Sequence, residues 1–134
     1  MNPIDSPQSE MAPSSSGVSQ RVLIVDDNAE FRRLARSLLE HGGYAVVGEA
    51  SDGTSAVAAC EALQPAIVLL DIQLPDMDGF QVADLLAAAP AAPDIVLISS
   101  RDSRSYRRQL AVTRARGFIA KAELSAVALS QALS

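Results

Sequence analysis

Five side chains in this sequence stand where chemistry could be done: Asp26, Asp27, Asp71, Ser99 and Lys121. Each sits at the end of a short apolar run. Asp26 and Asp27 follow VLIV (22–25), Asp71 follows AIVLL (66–70), Ser99 follows DIVLI (94–98) and Lys121 follows GFIA (117–120). Two carboxylates about 4 Å apart repel by roughly 4 kcal/mol at an effective dielectric near 20, so three together need raised pKa values or a cation. The available donors are hard oxygens, and one histidine (His41) and one cysteine (Cys60) leave little for a softer metal. That donor set favours Mg²⁺ over Zn²⁺. Mg²⁺ takes one or two carboxylates, several waters and a phosphate oxygen, so a phosphoryl group would complete the site. Asp71 could accept that group by nucleophilic attack, as an acyl phosphate. Lys121 and the Ser99 hydroxyl would then contact its remaining oxygens and spread the developing charge.

Each residue alone has a plainer reading. Asp26 or Asp27 could be a helix N-cap, Asp71 a turn residue like Asp76 and Asp78, and Ser99 a cap. Lys121 could be a solvated surface charge. It is, however, the single lysine in a chain with ten arginines. The conjunction carries the weight: one polar group at the end of each of four apolar runs.

The elements that must position these groups follow from periodicity. The apolar runs are continuous, which suits strands covered on both faces of a parallel sheet, and 44–50 (YAVVGEA) is a weaker fifth. The 15–25 or so residues between them suit crossover helices and are too many for hairpins. Phe31, Leu34, Ala35, Leu38 and Leu39 repeat at three and four, and Gly42 and Gly43 stop that helix. Further helices are predicted over 53–63, closed by Pro65, and over 80–88, closed by Pro90 and Pro93. Weaker ones are predicted over 103–112 and 124–133. Five such units imply a doubly wound α/β domain, whose ligands bind outside the carboxyl ends of the strands.

Composition sets the bounds. The chain has 134 residues, 49% of them hydrophobic and 20% charged, enough for one domain with a buried core. The net charge of −5 argues against a body built to bind nucleic acid. No apolar stretch is long enough for a membrane span and no signal peptide is visible, so a cytoplasmic location is expected. Residues 1–20, with three of seven prolines and six serines, read as a flexible leader, and the domain as 21–134.

The series VLIVDDN, VLLDIQLPDMDGF, IVLISS and GFIAKAE closely resembles the receiver domain of bacterial two-component response regulators. The resemblance runs over roughly 21–133. It implies a flavodoxin-like (βα)5 fold, a five-stranded parallel sheet of order 2-1-3-4-5, with a phosphorylation-driven signalling switch rather than an enzyme. By the same resemblance Asp71 is the phosphoacceptor, served by a sensor histidine kinase or phosphotransfer protein. Asp26 and Asp27 hold Mg²⁺ with Asp71 and the backbone carbonyl of Gln73. Ser99 senses the phosphoryl group, Lys121 contacts it, and Phe118 stands at the aromatic switch position.

Two features depart from the pattern. Ala122 follows the lysine where many relatives have proline. Six of the eleven cations fall between 101 and 116, and Arg104, Arg107 and Arg108 could form a surface for an acidic partner or a second protomer. The plainer reading is a solvated helix face. Competing functions are a Mg²⁺-dependent phosphatase, which would want an acid where Gln73 stands, and a receiver fold used only for protein contact. Two expectations stay open for the output, one of them a stand-alone receiver that docks on a downstream target or itself. The alternative is an N-terminal piece of a DNA-binding regulator, since nucleic acid could be reached only through a module absent from this chain.

Overall fold

The computed structural model describes residues 19–134, so most of the predicted leader over 1–20 lies outside the described residues. Five strands form one parallel sheet: β1 (Arg21–Val25), β2 (Ala45–Ala50), β3 (Ile67–Asp71), β4 (Asp94–Ser99) and β5 (Gly117–Ala120). Their order is β2-β1-β3-β4-β5, the expected 2-1-3-4-5 arrangement. The helices α1 (Ala29–His41), α2 (Gly53–Leu63), α3 (Gly79–Ala87), α4 (Arg107–Val112) and α5 (Ala126–Leu133) follow the five strands in turn.

Alternation along the strands divides the core between the two faces of the sheet. Leu23, Val25, Val68, Leu70 and Leu97 pack with Ala56, Val82 and Leu86 of α2 and α3. Val22, Ile24, Ile67, Leu69, Val96 and Ile98 pack with Leu39 of α1 and Leu129 of α5. β3 is buried along its whole length, which explains its unbroken apolar run.

The register levels the strand ends. Val25 pairs with Leu70, Asp71 with Ile98, and Ser99 with Ala120. Asp26 and Asp71 therefore leave neighbouring strands at the same height, with Ser99 and Lys121 one and two steps further along. The predicted helical stop after His41 is realised by Gly42 and Gly43, the latter at φ 96°, a left-handed conformation that favours glycine.

One predicted element differs. The helix expected over 103–112 is a 3₁₀ turn, Ser103–Tyr106, followed by the short α4. Asp102 caps the turn, its side chain accepting from the Arg104 N–H. The break falls at Tyr106, whose backbone (φ −125°, ψ 23°) leaves helical geometry while its side chain is buried.

Candidate functional site

The site is built at the carboxyl ends of β1, β3, β4 and β5. Asp26 is fully buried and held from every side. Its N–H donates to the Ala50 carbonyl (3.0 Å), its Oδ1 accepts from the Asn28 N–H (2.8 Å), and its carbonyl accepts from the Arg32 guanidinium (2.5 Å). Asn28 in turn caps α1 by accepting from the Phe31 N–H. Asp26 Oδ2 meets the Lys121 ammonium at 2.6 Å as an ion pair and has no other partner among the described residues.

Asp71, 4% exposed, accepts from the Gln73 N–H at Oδ1 (3.1 Å) and pairs through Oδ2 with Lys121 Nζ (3.3 Å). Burial pushes its carboxyl up to about 6, and the charge on Asp26 adds to this; the Gln73 N–H and Lys121 pull the other way without cancelling it. Burial pulls the Lys121 ammonium down, but its ion pairs with Asp26 and Asp71 outweigh that and hold its pKa above the ordinary lysine value. The ammonium also lies 4.6 Å from the centroid of the Phe31 ring, a cation–π contact.

Asp27 is exposed at the mouth. One carboxylate oxygen from each of Asp26, Asp27 and Asp71 can be chosen so that all lie within 4.8 Å of one another. Two of the three carboxylates are buried, one ammonium is all the positive charge that faces them among the described residues, and every donor is a hard oxygen. That set fits a hard divalent cation and offers nothing to a thiophilic one.

The loop after β3 supports Asp71 from below. The Gly79 N–H donates to the Ile72 carbonyl at 2.7 Å, and a Cβ on Gly79 would lie 2.6 Å from the Asp71 carbonyl oxygen. Only glycine allows α3 to start that close to the end of β3. Asp78 forms a reciprocal cap with Gln81 at the start of α3. Asp76 goes beyond turn chemistry: it accepts from the N–H groups of Gly53 (2.7 Å) and Thr54 (2.9 Å) at the start of α2, and from the Thr54 hydroxyl (2.8 Å). Those bonds hold its carboxyl down to about 2.

Ser99 is buried at the end of β4. Its Oγ accepts from the Arg101 N–H (3.1 Å) and shares a hydrogen bond with the Tyr106 hydroxyl (3.2 Å). The structure therefore brings Asp26, Asp27, Asp71 and Lys121 together and bonds Ser99 elsewhere. Gln73 contributes its N–H to Asp71, and an isolated antiparallel bridge ties it to Asp78. Phe118 is half-buried, its ring 6.5 Å from that of Tyr106. Arg104, Arg107 and Arg108 are exposed on the 3₁₀ turn and α4, Arg104 pairing with Asp102. Arg116 is engaged with Asp94 and the Leu133 carbonyl.

Sequence reasoning missed Phe31, Arg32, Gly79 and Tyr106 as parts of this arrangement. Tyr106 left a signal, as one of five aromatic residues in the chain, set among exposed arginines.

Known proteins agree with this geometry. The response regulator receiver domain family model matches residues 22–133. The transcriptional regulatory protein PdtaR of Mycobacterium tuberculosis is 38% identical over 91 residues, 66% of this chain and 44% of PdtaR. A protein-glutamate methylesterase/protein-glutamine glutaminase of Anaeromyxobacter dehalogenans is 39% identical over 109 residues, 81% of this chain and 31% of that protein. The chain thus spans less than half the length of these curated relatives. The signal receiver domain of NarL from Mycobacterium tuberculosis superposes with a TM-score of 0.75 at 34% identity, covering 85% of this chain and 96% of that one. With the sheet order, the family match and the gathered aspartates in accord, this chain belongs to the response regulator receiver domain family.

Proposed function

We propose that this receiver is a phosphorylation-activated switch of a two-component relay, with Asp71 as phosphoacceptor. The observation that carries the reading is the convergence of Asp26, Asp27 and Asp71 on one cleft with Lys121 across it. In this reading a carboxylate oxygen of Asp71 attacks the phosphorus of a phosphohistidine on a sensor kinase or phosphotransfer protein. The new P–O bond forms as the P–N bond breaks, and the imidazole leaves with the electron pair and takes up a proton. Burial strips water from the Asp71 carboxylate, which makes it a more reactive nucleophile, while the added phosphoryl charge has to be offset by cations at the site.

Asp26, Asp27, Asp71 and the Gln73 carbonyl would hold Mg²⁺, which supplies positive charge to offset the carboxylates and the phosphoryl oxygens. Lys121, paired with Asp26 and Asp71, takes a phosphoryl oxygen in place of one carboxylate contact. Ser99 donates its hydroxyl to another, and Phe118 repacks in response. The readout is docking of a downstream protein or a second copy through the exposed Arg104, Arg107 and Arg108. Because the kinase draws on ATP, this reading sets the protein in the cytoplasm; among the described residues no helix is long and apolar enough to cross a membrane.

Acetyl phosphate tests the core of this. With Mg²⁺ the chain should gain one phosphoryl group by intact mass; with EDTA, or in Asp71→Asn, it should gain none. Labelling that ignores Mg²⁺ or survives Asp71→Asn would refute the assignment. The greater length of the relatives supports a second reading, that this receiver serves a longer regulator. The gene's reading frame past Ser134 decides it.

A further inference from the structure

Tyr106 is the one buried side chain of the segment from Ser103 to Val112. Its ring lies between Phe80 (centroids 5.9 Å apart) and Phe118 (6.5 Å), and its hydroxyl has one hydrogen-bond partner among the described residues, Ser99 Oγ at 3.2 Å. A buried phenol hydroxyl needs a partner, and this one has taken the hydroxyl of the serine beside the acidic site. The helix that follows has no side-chain cap and no buried residue of its own. Tyr106 is therefore the buried anchor at the start of α4, with Leu110 one turn on packed only partly against the same core.

We infer that Tyr106 is a positioning residue that acts through Ser99: its hydroxyl holds the serine away from the acidic cleft, and the serine's release frees Tyr106 and with it the start of α4. This rests on the proposed phosphoacceptor reading, since the competing attraction is a phosphoryl group on Asp71. The serine hydroxyl has one proton to donate. Turning toward the cleft to give it to a phosphoryl oxygen takes Ser99 Oγ away from the phenol, which must then find another partner. An open groove of about 350 Å³ beside it, lined by Gln73, Asp78 and Gln109 among others, gives the ring somewhere to turn. Moving Tyr106 would move the turn that carries Arg104 and leads into Arg107 and Arg108. Phe118 has no hydroxyl and cannot make this bond; it supplies one wall of the ring's pocket.

The test uses the full chain, with Mg²⁺ and beryllofluoride as the phosphoryl stand-in. Tyr106→Phe keeps the ring and removes the competing hydroxyl, so it should bind beryllofluoride more tightly, by roughly 2- to 12-fold if the bond has the usual net worth. In a Ser99→Ala background the same substitution should change nothing, because there is no serine hydroxyl left to hold. Equal affinity for Tyr106→Phe and the parent chain, or the same gain without Ser99, would overturn the inference. A second measurement needs no variant: with 3-fluorotyrosine incorporated, the ¹⁹F signal of Tyr106 should shift on saturation. That of the only other tyrosine, Tyr44, bonded to Ser130 at 2.6 Å, should not. A Tyr106 signal that stays in place at saturation overturns it as well. If the parent chain binds no beryllofluoride with Mg²⁺, the phosphoacceptor reading falls and takes this one with it; binding without the Tyr106 effects removes this one alone.

Discussion

Lys121 Nζ reaches Asp71 Oδ2 at 3.3 Å although their strands, β5 and β3, are separated by β4. The same ammonium is 2.6 Å from Asp26 Oδ2. One lysine thus balances two buried carboxylates across three strands. Among the described residues neither carboxylate has a second cation within ion-pair distance.

Replacing Lys121 by methionine keeps the stem and removes that charge. Two buried anions would be left facing each other. Breaking a buried pair costs about 3–5 kcal/mol, and partial exposure of Lys121 lowers this to roughly 2 kcal/mol in metal-free buffer. Added Mg²⁺ should restore much of the loss. Urea unfolding with and without Mg²⁺ checks this, and a variant as stable as the parent in EDTA contradicts it.

The raised carboxyl of Asp71 has a stability consequence with a definite sign. Its folded pKa, about 6, lies above the ordinary 3.8, so between those values the folded chain binds more protons than the unfolded one. Stability therefore falls as pH rises through this window, and the penalty is complete above pH 6. It amounts to roughly 3 kcal/mol at most, at 1.36 kcal/mol per unit. Asp71→Asn should thus stabilise the metal-free chain at pH 7.5, with the gain shrinking toward pH 4. Denaturant melts in EDTA at the two pH values test it; a destabilised variant at pH 7.5 is the contrary outcome.

Gly79→Ala should be costly at a residue that never touches the cleft. The added methyl would stand 2.6 Å from the Asp71 carbonyl oxygen and 2.8 Å from Ile72 Cα, and backbone cannot rotate away as a side chain can. A loss of about 1–3 kcal/mol is expected from overpacking, with slower phosphoryl acceptance because the strained backbone is the one carrying Asp71. A variant with parental melting temperature and labelling rate would contradict this.

The parallel sheet and the acidic cluster were legible in the sequence because continuous apolar runs and the residues ending them are local signals. The family resemblance supplied the strand order, and the register places Asp26 and Asp71 side by side as that order requires. What was not legible depends on long-range approach. Asp76 and Asp78 look alike as turn residues, yet Asp76 caps a helix 22 or more residues earlier, a pairing only the fold creates. Arg32 reads as a solvated helical arginine until its guanidinium is seen on the Asp26 carbonyl. The fourth helix looked continuous because its breaker, Tyr106, is not a glycine or proline. Its ring is drawn inward by Phe80, Phe118 and Ser99, none of which local pattern brings near.

An acyl phosphate on Asp71 is tested most directly by borohydride reduction, which acts on that bond itself. After Mg²⁺-dependent reaction with acetyl phosphate, borohydride should convert residue 71 to homoserine, located by peptide mass spectrometry, with no conversion in EDTA. Homoserine at Asp26 or Asp27 in place of position 71, or no conversion in a chain that has gained phosphate, would contradict the account.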